Sequence, residues 1–90
     1  MKEKKRKEAV ALKYESEKDS APTVIAKGKG KVAENILQAA GLHDIPVRED
    51  PTLTELLGKL DISQSIPEEL YQAVAEVFAF VYKLDKAMKD

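Results

Sequence analysis

Apolar and polar residues alternate through Ala9-Val10-Ala11-Leu12-Lys13-Tyr14, with Val10, Leu12 and Tyr14 on one face and Ala9, Ala11 and Lys13 on the other. A period of two predicts a strand with one buried face. The polar stretch from Glu15 to Pro22, ending in Ser20-Ala21-Pro22, reads as a loop. The β-branched run Thr23-Val24-Ile25-Ala26 reads as a short inner strand. Lys27-Gly28-Lys29-Gly30 breaks it, and from Lys31 the period becomes helical. Val32, Ala33, Ile36, Leu37 and Ala40 share a face, and Gly41 is placed to cap the C-terminus. Ile45-Pro46-Val47-Arg48 reads as a third, short strand, although Pro46 has no N–H to offer a ladder.

Asp50-Pro51 is a helix start, a cap followed by proline in the first turn. Leu53, Leu56, Leu57 and Leu60 supply the stripe of that helix, and Gly58 weakens it by about 1 kcal/mol relative to alanine. Ser65-Ile66-Pro67-Glu68 has the spacing of a capping box. The last and longest helix carries Leu70, Val74, Val77, Val81, Leu84 and Met88 as one continuous stripe. The order strand, strand, helix, strand, helix, helix predicts an α/β fold. Its middle strand–helix–strand unit should be a right-handed crossover between parallel strands. The expected architecture is a small, mostly parallel mixed sheet flanked by helices on both faces.

Ninety residues allow one small domain, assigned to residues 9–90. Such a chain buries only about 60–65% of its unfolded surface, which leaves little stability for a deep catalytic cavity. Function is therefore expected on the surface. Charge changes the picture at one end only. Residues 1–8 carry a net +3 and residues 9–90 a net −4. A basic, flexible tail over residues 1–8 thus precedes a mildly acidic body. The overall net charge of −1 argues against a general nucleic-acid binder, and no aromatic residue is interleaved in the tail to stack on bases. No apolar run reaches the roughly 18–20 residues of a membrane helix, and the charged start lacks the apolar core of a secretory signal.

Candidate chemistry is sparse. There is no cysteine, which excludes disulfides, zinc–thiolate sites and thiol catalysis. His43, the single histidine, follows a helix end beside Asp44 and reads as a surface residue without the pocket and partner a general base needs. Ser16, Ser20, Ser63 and Ser65 lie in loops or at a cap, outside any nucleophile elbow. No metal-ligand spacing stands out. Gly28-Lys29-Gly30-Lys31, between a strand and a helix, invites a phosphate-binding reading. It matches neither the P-loop nor the dinucleotide pattern, and a glycine-relieved turn explains it as well. The reading is thus of a chain with no catalytic residue, no metal and no cofactor.

The last helix is more informative. Beside its core stripe runs a second line, Tyr71, Ala75, Phe78 and Tyr82, and with Phe80 it holds four of the chain's five aromatics. One stripe is enough to dock a helix on a sheet. The second line either packs against the preceding short helix or leaves an apolar strip for a partner. In the latter case Ala75 is the floor of a shallow groove and Phe78 its wall.

Ala9-Val10-Ala11-Leu12-Lys13-Tyr14, Ser20-Ala21-Pro22 and Val24-Ile25-Ala26-Lys27-Gly28 resemble the start of the cytoplasmic domain of the FlhB family. These are the export-gate switch proteins of bacterial flagellar type III systems. The resemblance continues through Ile45-Pro46-Val47, Asp50-Pro51 with Leu53, Ile62, Ile66-Pro67, Leu70-Tyr71 and Ala73-Val74-Ala75-Glu76-Val77. It implies a non-enzymatic interaction module that docks export substrates of rod and hook type and contributes to substrate-specificity switching. The implied partners are those substrates and export-gate proteins, including a membrane-embedded FlhB. The implied location is cytoplasmic, at the inner face of the cytoplasmic membrane with the gate, and the membrane is met only through partners. Carried over by position, the substrate-docking patch falls on Ala21, Pro22, Ala75 and Phe78, the last often leucine in the family.

Two departures matter. Full-length members carry Asn-Pro-Thr-His, where asparagine cyclises and cleaves the chain. Lys4, Lys5, Arg6 and Lys7 stand at the matching positions here, so self-cleavage is not expected. The family's membrane helices are absent from the sequence as well, so the chain resembles the short, stand-alone FlhB-like proteins. The alternatives are a self-cleaving switch domain, disfavoured by the missing motif, and an anion or RNA binder using the basic tail.

Overall fold

β1 (Glu8–Lys13) and β2 (Thr23–Lys29) pair as a two-stranded antiparallel sheet. The computed structural model describes residues 7–15 and 21–88, with side chains of the last helix described as far as Ala79. The tail residues 1–6, loop residues 16–20 and the stripe positions Val81, Leu84 and Met88 with Phe80 and Tyr82 therefore lie outside the described residues or side chains. Three helices follow the sheet: α1 (Lys31–Leu42), α2 (Pro51–Leu57) and, after a single 3-10 turn at Glu68–Leu70, α3 (Tyr71–Met88). Among the described residues no helix is long and apolar enough to cross a membrane.

Both faces of the sheet are covered, where the alternation of β1 predicts burial of one. Residues opposite each other in an antiparallel pair share a face. Ala9 lies opposite Gly28 and Ala11 opposite Ala26, so one face is built from small side chains. α1 packs on that face, and a Cβ at Gly28 would collide with the side chain of Val32. The opposite face presents Val10, Leu12, Val24 and the stem of Lys27. Its ammonium donates to the Gly58 carbonyl at the end of α2, at 3.0 Å. A register shift between Ala11 and Leu12 leaves Ile25 as the extra residue of a bulge, half exposed at 51%. The core lies on the second face, where Val24, Leu53, Leu57, Ile66 and Val74 are buried against one another. Val10, Leu12, Leu60, Leu70, Val77 and Phe78 pack around them.

The α/β character holds, but the mostly parallel sheet and the order β-β-α-β-α-α do not. Residues 45–48 form no strand. The N–H of Ile45 donates to the Ala40 carbonyl at 2.9 Å, closing the end of α1, and Pro46 has no N–H. Two successive donors are thus lost to any ladder. Without that strand, no parallel pair and no crossover occur among the described residues. The free edge of β2 is met instead by residues 63–66. The Val24 N–H donates to the Gln64 carbonyl (3.0 Å), Ser63 N–H to Val24 (2.7 Å) and Ile66 N–H to Pro22 (2.9 Å). Ser65 faces Thr23 in this isolated antiparallel bridge and caps no helix, since Pro67 occupies the N-cap of the 3-10 turn.

The glycine-rich turn is differently placed as well. β2 runs through Gly28 to Lys29, and the chain turns at Gly30, whose φ of 60° belongs to the region open to glycine. At the far end of α1 the helix passes through Gly41, and Asp44, with φ 55°, takes the left-handed position that aspartate tolerates. Gly58 is the C-cap of α2 rather than an interior residue, and a Cβ there would strike the Glu8 carboxylate.

The start of α2 is as the sequence predicts. The Asp50 carboxylate accepts the Leu53 N–H at 3.1 Å, with Pro51 in the first turn. Asp50→Ala should lower stability by about 1 kcal/mol. That is a fall of roughly 4–8 °C in the melting midpoint for a domain of this size, read by circular dichroism with the far-UV spectrum unchanged.

Candidate functional site

β1 ends at Lys13, and the next residue, Tyr14, leaves the sheet. Its ring meets that of Phe78 on α3 with centroids 5.8 Å apart and planes tilted by 55°, the inclined arrangement that aromatic quadrupoles favour. Tyr14 is 42% exposed, so its assignment to the buried face of β1 is corrected. The strand's hydrogen bonds stop before it, and the ring turns to α3.

Across from it, Ala21 and Pro22 enter β2. The Pro22 carbonyl accepts the Ile66 N–H, which pins this side of the loop to the 63–66 segment. Ala21 is buried and Pro22 half-buried. On α3, Tyr71, Val74, Ala75 and Phe78 follow at steps of three, one and three, so they share one side of the helix. Val74 faces the core at 1% exposure, while Tyr71 and Ala75 are exposed and Phe78 is half-buried.

Together Tyr14, Ala21, Pro22, Tyr71, Val74, Ala75 and Phe78 line an open cleft of about 290 Å³. All four residues carried over by position, Ala21, Pro22, Ala75 and Phe78, are in this lining. Tyr14 and Val74 join them unannounced. Tyr14 carries no sequence signal for the role, because the alternation of β1 runs through it. Val74 belongs to the core stripe, but beside Ala75 a valine side chain reaches the cleft floor.

The lining has no charged side chain and, apart from the hydroxyls of Tyr14 and Tyr71, is apolar, so the cleft can seat an apolar side chain by desolvation. Seating a Val- or Leu-sized side chain contributes about 1.5–3 kcal/mol. Beside it an ion pair between Lys13 and Glu15, 3.4 Å apart, is exposed at both ends and contributes little.

The other candidates stay apart from the cleft. His43 is exposed as the C-cap residue of α1. Ser63 and Ser65 lie in the segment beside β2, and Ser16 and Ser20 fall outside the described residues. No group of metal-ligating side chains occurs among the described residues. In the glycine turn, the Gly30 N–H donates to the Lys7 carbonyl at 2.7 Å and is not open to a phosphate. A second, larger concavity of about 570 Å³ runs along β1, α1 and residues 45–50. Ile45 and Val47, which the sequence pattern places in a strand, line it, at 57% and 53% exposure.

Residues 6–81 match the family described as the FlhB HrpN YscU SpaS family. The uncharacterized protein YlqH of Bacillus subtilis (strain 168) is 51% identical over 84 residues, covering 93% of this chain and 90% of that protein. The flagellar biosynthetic protein FlhB of Aquifex aeolicus (strain VF5) is 45% identical over 74 residues. That match covers 81% of this chain but only 21% of the relative, so the chain spans about a fifth of its length. Among solved structures, the cytoplasmic domain of FlhB from Shewanella putrefaciens superposes with a TM-score of 0.86 at 37% identity, over 91% of this chain and 68% of that one.

Proposed function

The chain belongs to the FlhB, HrpN, YscU and SpaS family, and on that footing we propose that it is a non-enzymatic interaction module of the flagellar type III export apparatus. It docks export substrates of rod and hook type in the cytoplasm and contributes to substrate-specificity switching. Its partners are those substrates and the export-gate proteins, a membrane-embedded FlhB among them. The observation that carries this reading is the gathering of Ala21, Pro22, Ala75 and Phe78 around one apolar cleft. Lys4 to Lys7, standing where the family's self-cleaving motif falls, support the non-enzymatic part.

The energy scale suits a transport path. One seated side chain, at about 1.5–3 kcal/mol, supports weak binding with fast release, and affinity differences of this kind fall mainly on the dissociation rate. Titration of the N-terminal segment of a rod or hook protein should give saturable binding to the parent chain. Ala75→Asp, which sets a carboxylate on the exposed floor of the cleft, should weaken it about tenfold, or roughly 1.4 kcal/mol. Equal affinity for parent and variant removes the cleft as the docking site.

A further inference from the structure

β1 is an edge strand of the sheet, and its outer side is unpaired. The Val24 N–H and carbonyl are both bonded to residues 63–66, away from β1. Those of Leu12, which lies opposite Val24, therefore point away from β2 in turn. At the other end of the strand the Lys7 carbonyl faces β2, where it accepts the Gly30 N–H. Both ends give the same phase: the N–H and carbonyl groups of Glu8, Val10 and Leu12 point outward. Among the described residues none of these groups makes a backbone hydrogen bond on that side. Natural sheets blunt such edges with proline, a bulge or central charges. β1 has no proline, its charged residues Glu8 and Lys13 stand at its two ends, and the bulge lies on β2.

The open edge borders the larger concavity, about 570 Å³. Ile36, Leu37 and Ala40 of α1 line it on the small-residue face of the sheet, and Leu53, Leu57 and Val77 on the core face. Ile45 and Val47 border the same space and are more than half exposed. Residues 45–48 thus have the apolar pattern of a strand and no strand to lie beside.

We propose that this groove takes one extended segment of a different chain, rich in β-branched apolar residues, which adds to β1 as a third strand. Outward donors and acceptors at every second residue match an extended backbone and not a helix. Apolar walls on both faces call for apolar side chains at successive positions, the composition of an inner strand. The 6 residues of β1, about 20 Å, set the length of the guest. This chain has no such segment to spare: residues 1–6, 16–20 and 89–90 hold Met1 as their one apolar side chain. A second copy fits no better, because its own β1 edge lies in the same groove and two recessed edges cannot meet. The site is distinct from the cleft past the end of β1, although Phe78 borders both.

Titration of the full chain with the peptide Lys-Ser-Val-Ile-Val-Ile-Val-Ser-Lys tests this. Saturable binding is expected below about 1 mM. In amide exchange followed by NMR, the peptide should protect the N–H groups of Glu8, Val10 and Leu12 at least about tenfold. Those of Ala9 and Ala11, already turned to β2, should change little. N-methylation of alternate peptide residues, made in both phases, removes the donors of one edge at a time. One phase should lose about tenfold or more in affinity and the other stay within about threefold. Val47→Asp, at an exposed position on the groove wall, should weaken binding about tenfold and keep the melting midpoint within about 4 °C of the parent. Absence of saturation, equal effects of the two methylation phases, or parent-like binding by Val47→Asp overturns the proposal. So does a dimeric parent whose Val10 and Leu12 amides are protected without peptide, which assigns the edge to a second copy. The probe carries no export-substrate sequence and the readout is the β1 edge, so its failure is separate from failure of docking at the cleft.

Discussion

Val24→Asp should leave no cooperatively folded domain at 25 °C. Val24 is 0% exposed and stands among Leu53, Leu57, Ile66 and Val74. Its main chain also holds the 63–66 segment, donating to Gln64 and accepting from Ser63. A carboxylate there has no cation among its neighbours in the core cluster, and an unpaired buried charge costs several kcal/mol even after relaxation. A domain of this size has about 5–15 kcal/mol of stability at most, and the lost valine packing adds to the deficit. Loss of the melting transition by circular dichroism is the expected outcome. Val24→Ala, which removes only apolar volume, should retain a transition at lower temperature. A Val24→Asp protein that melts cooperatively within about 5 °C of the parent would show that the core is not centred on this residue.

Phe78→Asp should weaken substrate docking about 30-fold or more. The side chain is one wall of the cleft, and its ring is braced by Tyr14. The substitution removes the apolar surface against which a guest side chain would be desolvated, about 1.5–3 kcal/mol, and puts a carboxylate in its place. Phe78 also packs against the core, so a loss of binding must be separated from a loss of fold. Phe78→Leu keeps the wall apolar and should bind within about threefold of the parent, a difference below 1 kcal/mol. Isothermal titration with a rod or hook protein segment, beside circular dichroism of both variants, makes the distinction. Parent-like affinity in a folded Phe78→Asp protein would reject the cleft as the docking site.

The local signals in the chain proved uneven. Asp50-Pro51 marks the start of α2 because cap and proline act through their nearest neighbours alone. The helical period from Lys31 and the stripe through Leu70, Val74 and Val77 are equally local, and those helices form. Residues 45–48 misled because their apolar pattern fits a strand, while the fate of the Ile45 N–H depends on where α1 ends. Gly41 had the composition of a cap, yet the left-handed residue is Asp44. The spacing of Ser65 and Glu68 fits a capping box, but Ser65 is drawn into a bridge with Thr23 from a distant part of the chain.

The candidate site divides in the same way. Ala75 and Phe78 could be paired in advance, because positions three apart on a helix share a side. Ala21 and Pro22 came to the patch only through the family resemblance, and Tyr14 was assigned elsewhere.

By itself the sequence determined the α/β composition, the helices, the lack of thiol chemistry and the apolar line on α3. These follow from residue type and short-range periodicity. Only the tertiary structure decided that the sheet is antiparallel and that Tyr14 closes on Phe78. Each depends on hydrogen bonds and contacts between segments remote along the chain, and no local pattern encodes which of the available partners a backbone donor or an exposed ring will meet.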